Sequence, residues 1–270
     1  MKIPIPSNGL AFSISFSIRT NGKRKIRILA KHPTAPNTNY TDREVWINGW
    51  APFVLQFPIS PEKLDLVIYD VEAGFSAEGR DKTFNVQNFN IGKLQTCNGN
   101  IKKRDREFLE FMCWFAENAG YLSLGEYVSK NRRFRILYLE TITTNDGKAS
   151  VTPASVGHQT KRMKFARDKI LPMSVFERIP VGGHEYSHVY KNPEVGKRVD
   201  DEVAADLNML RILLPLGYPR YDIKHVFASV FYQAPSDMNT HRLRVLDDYI
   251  TKFDKGQILG SCKFQLPKAA

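Results

Sequence analysis

Two pairs of side chains, each pair four residues apart, constrain the fold of this chain more than any other feature. In VGGHEYSHVYKN, His184 and His188 stand four apart, and in DEVAADLNMLRILL, Glu202 and Asp206 do the same. On an α-helix, positions i and i+4 share a face, with Cβ atoms about 6 Å apart. Each pair can therefore present two side chains in one direction. Between the segments, KNPEVGKR carries Pro193 and Gly196, which suits a turn that folds two helices antiparallel. Leu207, Leu210 and Leu214 give the second helix an apolar stripe, and Asp200 or Asp201 can cap or favour its start. Ala204 and Ala205 permit close approach of the two helices.

This arrangement has a chemical reading. Two imidazoles on one helical face can converge on one ion. Glu185, next to His184 in sequence, is rotated by about 100° around the helix axis, where it can face water at the ion without being a ligand. Zn²⁺ lowers the pKa of a bound water toward about 7, and a carboxylate can then take its proton during attack on a carbonyl. A catalytic zinc needs a third protein ligand and an open position. Glu202 can supply the ligand, and Asp206 can accept the second N–H of an imidazole and hold its tautomer. The competing reading makes the histidines surface groups on an amphipathic helix and the two acids a solvated face.

H-E-x-x-H followed by E-x-x-A-D resembles the glutamate-zincin metallopeptidases, the gluzincins. The resemblance implies one zinc per chain held by His184, His188 and Glu202, with Glu185 as catalytic base and Asp206 behind the first histidine. The longer pattern HEYSHVYKN…DEVAADLNMLRILLPLGYP is similar to zincin-like proteins of tailed bacteriophages, including crAss-like phages of Bacteroidetes. Together these likenesses cover roughly residues 178–221. They imply a zinc metallopeptidase acting on a protein or peptide substrate, in the host cytoplasm or associated with a virion. The alternative they carry is a non-catalytic virion structural or interaction protein, in contact with other virion proteins, that retains a zincin scaffold.

The chain departs from related patterns in places. Lys191 stands where the metzincin extension has glycine, and Glu194 where it has a third histidine. Gly182 and Gly183 precede His184, and glycine weakens a helix by about 1 kcal/mol relative to Ala. Pro180 is suited to a first helical turn. These residues predict a helix that begins late, leaving His184 near its end. Tyr218, Tyr221 and His225 are the nearest downstream donors for an oxyanion, though packing and turn roles suit them better. His32, His158 and His241 show no partner pattern.

The first third of the chain follows a different period. SISFSI and KIRILA alternate around Asn21-Gly22, a type I′ hairpin signal. REVWIN, APFVLQFPIS and KLDLVIYDVE continue the pattern, which predicts an antiparallel sandwich or barrel. Phe108, Phe111, Met112 and Phe115 then repeat at helical spacing before Gly120. FRILYLETIT and KRMKFARDKI read as strands, and the chain from about residue 173 reads as helical. The expected class is α+β: an N-terminal antiparallel β-sandwich or barrel-like region over 1–98, for docking or substrate positioning, then a mostly helical, zincin-like domain over 99–270.

A net charge of +11 admits a nucleic-acid partner. Basic residues cluster at 23–27, 102–106 and 132–135. Without an RNA-binding signature or a DNA-reading helix, that partner is not favoured. Cys97, Cys113 and Cys262 lie far apart without a CxxC pair, which predicts free thiols in a reducing compartment. No run is apolar enough to span a bilayer, so no membrane partner is expected. The N-terminal stretch lacks a secretory apolar block, so the expected location is a cytoplasm or a particle assembled there.

Overall fold

Alternating apolar residues from Phe12 onward build one unusually long strand where the sequence suggested two. In the computed structural model, which describes residues 1–75, 83–97, 101–144, 146–157, 159–190, 201–258 and 260–261, strand β2 runs unbroken over Phe12–Lys31. Phe12, Ile14, Phe16 and Ile18 bury one half of its inner face, and Ile26, Ile28 and Ala30 the other. Asn21-Gly22 is therefore not a hairpin turn. It lies at a shift of register between Arg19 and Lys23, opposite Trp50 and Asn48 of β3 (Asn39–Phe57). Gly22 adopts φ +78°, which glycine tolerates without steric cost. The Thr20 hydroxyl donates to Gly22 O at 2.9 Å and accepts from Gly49 N–H at 3.1 Å. The local turn signal is outweighed because β3 offers a ladder to both halves of β2.

Strands β1 (Lys2–Ile5), β4 (Leu64–Asp70) and β5 (Phe84–Lys93) complete this sheet. Its order is β1-β4-β2-β3, with β5 paired to β2, and every pairing is antiparallel. The other edge of β2 is shared: β5 follows it from Phe12 to Thr20, and β4 from Ile26 to Lys31. Among the described residues this is a single five-stranded sheet, and no pairing closes it into a barrel. It belongs to one compact unit, Met1–Thr96 with Gly217–Pro219.

The second unit takes in Cys97–Leu216 and the chain from Arg220. Helix α1 (Lys103–Asn118) buries Phe108, Phe111, Met112 and Phe115 on one face. Four strands follow: β6 (Gly125–Val128), β7 (Arg135–Leu139), β8 (Ala154–Val156) and β9 (Arg162–Ala166). They form a sheet of order β6-β7-β9-β8 in which β7 and β9 are parallel and the other pairs antiparallel. A short α2 (Arg167–Ile170) leads to α3 (Val175–Val189), α4 (Asp201–Leu213), α5 (Arg220–Gln233) and α6 (Asp237–Asp254). Among the described residues the region is mostly helical from Val175, as the periodicity predicts, and the mixed sheet precedes it.

Helix α3 is the hub, touching α1, α4, α5 and two strands. Arg178 is 1% exposed and donates to three carbonyls: Ala116 at 2.7 Å, Ile170 at 3.0 Å and Leu171 at 3.1 Å. Those carbonyls lie at the ends of α1 and α2, where helices leave acceptors unmatched. The guanidinium thus ties three elements together. One cysteine departs from expectation: Cys97 is disulfide-bonded and Cys113 is free, whereas Cys262 lies outside the described residues. This removes the cysteine argument for a reducing compartment. No helix among the described residues is long and apolar enough to cross a membrane.

Candidate metal centre

The helix that carries the two histidines does not begin late. Its first residue is Val175, and the Glu177 carboxylate accepts from Ser174 N–H at 2.7 Å, satisfying a donor at the helix start. Pro180 sits within the helix. Gly182 and Gly183 are packing positions: a Cβ on Gly182 would collide with Met112 Sδ of α1, and one on Gly183 would lie 2.9 Å from Met209 Cγ of α4. The two glycines let α1 and α4 press against α3 from different sides, and that burial outweighs their poor helix propensity. His184 is consequently well inside a buried helix.

From α3 the imidazoles of His184 and His188 point at one another, with their Nε2 atoms 3.0 Å apart. Glu202, in the first turn of α4, places Oε2 3.3 Å from His184 Nε2 and Oε1 3.4 Å from His188 Nε2. Behind the rings, His184 Nδ1 lies 2.8 Å from Asp206 Oδ1, and His188 Nδ1 lies 3.1 Å from Asp201 Oδ2. If each Nδ1 carries the proton donated to its carboxylate, each Nε2 is left with a lone pair. Two lone pairs and a carboxylate then face one point, a repulsive arrangement that a cation relieves.

The cluster has the size such a cation needs. Tetrahedral zinc with bonds of about 2.0–2.1 Å sets its ligand atoms about 3.3 Å apart; here the two Nε2 atoms are 3.0 Å apart, and each lies 3.3 or 3.4 Å from a different oxygen of the Glu202 carboxylate. His184, His188 and Glu202 lie close enough together to hold a metal ion.

Protonation reports the same convergence. Burial alone would lower the His184 pKa, but hydrogen bonding to Asp206 and Glu202 outweighs it and raises the pKa to about 10. The hydrogen bond to His184 holds Glu202 well below the ordinary carboxylate range. Without a metal, a proton on His184 occupies part of the role a cation would take.

Glu185 is buried, and desolvation raises its pKa to about 7 although the nearby His184 charge opposes the rise. It lines a cavity of about 470 Å³ together with His184, His188 and Glu202. One wall of this cavity is β8, which pairs with β9 alone among the described strands and so leaves an edge unmatched. Val226, Phe227 and Phe231 of α5 give the cavity an apolar wall.

The structure thus places His184, Glu185, His188, Glu202 and Asp206 in one cluster, and it does not bring the suggested oxyanion donors there. His225 Nδ1 lies 2.6 Å from Glu177 Oε1, and its ring stacks on Tyr221. Tyr218, Tyr221 and His225 are not among the residues lining the cavity.

Sequence reasoning missed Arg242 of α6. Its Nε and Nη2 donate to Asp206 at 2.7 and 3.0 Å, and Nη1 lies 2.9 Å from Glu202 Oε2. A single buried guanidinium thereby grips both Glu202 and Asp206 of α4. No local pattern marks it, because only the return of α6 against α4 brings it there. Asp201 was read only as a helix-start residue, although the i−1 position to Glu202 was available as a signal. No protein-family model, curated protein or solved structure matches this chain.

Proposed function

We propose that this protein is a zinc-dependent peptidase in which Glu185 is the general base. The observation that carries this reading is the convergence of His184 Nε2, His188 Nε2 and the Glu202 carboxylate, close enough together to hold a metal ion, with Glu185 on the wall of the same cavity. Two imidazoles and a carboxylate form a donor set suited to zinc. When bound, the ion would supply Lewis acidity, polarising a carbonyl and lowering the pKa of a water toward about 7.

The remaining steps belong to this chain's own groups. Asp206 and Asp201 fix the tautomers of His184 and His188, so that both Nε2 atoms are acceptors. Glu185 takes the proton of the attacking water and later delivers it to the leaving amine. Its raised pKa suits both roles, since a carboxyl that titrates near neutrality can accept and return a proton. The free edge of β8 offers main-chain groups to an extended peptide, the usual mode of strand addition. The apolar α5 wall then receives a side chain of that peptide. An association with a phage particle rests on the sequence resemblance alone and stays a proposal with it.

The test is a Glu185→Gln variant compared with wild type over a mixed peptide library. Retained zinc with cleavage reduced at least a hundredfold supports a general base. Zinc binding by a wild type that cleaves nothing supports the competing reading, a metal-stapled scaffold without turnover.

A further inference from the structure

Two basic runs far apart in sequence converge in the second unit. Strands β7 and β9 are parallel and in register, with Arg135 beside Arg162 and Leu137 beside Lys164. Residues 136, 138, 163 and 165 are buried, so Arg135, Arg162 and Lys164 share the opposite, outer face. Parallel strands also begin at the same end of a sheet. The turn before β7, with Lys130 and Arg132, and the turn before β9, with Lys161, therefore lie side by side. Arg133 and Asn131 of the first turn bond to Glu107 of α1 at 2.8 and 2.9 Å. That contact brings Lys103, one helical turn before Glu107, to the same end. Arg104 and Lys161 both lie against the Tyr190 ring, 4.5 and 5.7 Å from its centroid.

Most of this charge is uncompensated. Glu126 pairs with Arg162 at 2.9 Å, and Glu107 with Arg133 at 2.8 Å. Lys130, Arg132, Arg135, Lys161 and Lys164 are exposed and have no acidic partner among the described residues. Adjacent strands lie about 4.8 Å apart, and Glu126 offsets only Arg162 of the side-by-side Arg135 and Arg162. An anion on this face would give Arg135 and Lys164 the partner they lack among the described residues. The basic run at 23–27 behaves differently: Lys25 and Arg27 of β2 pair with Glu44 and Asp42 of β3.

We propose that the outer face of the β6–β9 sheet, with the two turns at its end, binds the sugar-phosphate backbone of a nucleic acid. The exposed guanidiniums of Arg132 and Arg135 suit bidentate contact with phosphate, and Lys130, Lys161 and Lys164 add point charges beside them. The outward side chains of these strands include no aromatic ring, since Tyr127 turns inward onto Trp114 and Phe115 and Tyr138 onto Phe115. Base stacking is therefore not part of this surface, and recognition is of the backbone and independent of sequence.

Fluorescence anisotropy with a labelled 20-base-pair DNA, titrated across salt, tests the proposal. With about five phosphates neutralised, log K should fall against log salt with a slope of about −4.5. The double variant Arg135→Glu, Lys164→Glu should bind at least tenfold more weakly while its thermal midpoint stays within a few degrees of wild type. Lys23→Glu in the first unit should change affinity less than twofold. A scrambled duplex should bind as well as the first. Absence of salt-dependent binding, a double variant that binds like wild type, or equally tight binding of polyglutamate would each overturn it. Chelator treatment should leave the binding unchanged, so this test is independent of the metal centre.

Discussion

His184 and His188 each set Nδ1 against a carboxylate, at 2.8 Å from Asp206 and 3.1 Å from Asp201, yet the two carboxylates live in different surroundings. Asp206 is 1% exposed and is itself gripped by Arg242. The Asp201 side chain is 46% exposed. One imidazole is thus anchored through a buried chain of charge, His184 to Asp206 to Arg242, and the other through a solvated contact at a helix start. The same contact should matter far more in the first setting, because a buried ion left unpaired costs several kcal/mol, whereas an exposed pair contributes about 0–1 kcal/mol.

That difference can be broken at several points, and the largest effect is expected at Arg242. Arg242→Ala leaves the buried Asp206 carboxylate with its contact to His184 but strips both guanidinium bonds from it, which should destabilise the fold by about 3–5 kcal/mol, read by urea unfolding. A loss below about 1 kcal/mol would show that the buried chain is unimportant. Asp201→Ala should leave stability within about 1 kcal/mol but weaken metal affinity about 10–100-fold, measured by chelator competition. Asp201→Asn, which keeps an acceptor for His188 Nδ1, should restore most of that affinity.

Acidity acts on the buried imidazole. In the metal-free chain His184 titrates near 10 instead of 6.5, so the folded state holds a proton that the unfolded state gives up in that window. Its stabilising contribution is full below pH 6.5 and is lost as pH rises toward 10. Glu185, raised from 4.5 to about 7, acts with the same sign between those values. The thermal midpoint of chelator-treated protein should therefore fall between pH 6 and pH 9. Metal binding must expel the His184 proton, so metal affinity should rise by up to about tenfold per pH unit across that range. An affinity that does not change with pH would contradict the assignment of His184 as a ligand.

The smallest effect concerns the support common to both rings. Gly182→Ala gains about 1 kcal/mol of helix propensity but overpacks against Met112, which is fully buried, at a cost of about 1–3 kcal/mol. A net loss of about 1 kcal/mol is expected by chemical denaturation. A net gain would return Gly182 to the role of a simple weak point in the helix.

The two helices of the site were legible because their chemistry is periodic, whereas the turn expected at Pro193 and Gly196 lies outside the described residues. His184, His188, Glu202 and Asp206 repeat at a spacing that one helical face enforces, and no other element orders them in that way. The Asn21-Gly22 and Gly182-Gly183 pairs were misread because glycine has two uses, positive φ and the absence of a Cβ, that sequence does not separate. In β2 the neighbouring strand β3 decides the outcome, and in α3 the methionines of α1 and α4 do. Arg242 was illegible for a related reason. An arginine in an 18-residue helix reads as a surface group until the fold buries it against two acids.

If His184, His188 and Glu202 jointly hold one zinc, metal analysis of purified wild type beside His188→Ala and Glu202→Ala will show it. About one zinc per wild-type chain is expected after zinc loading and desalting, with near-complete loss in both variants. A wild type that keeps no zinc under those conditions, or variants that keep it as well as wild type, would contradict it.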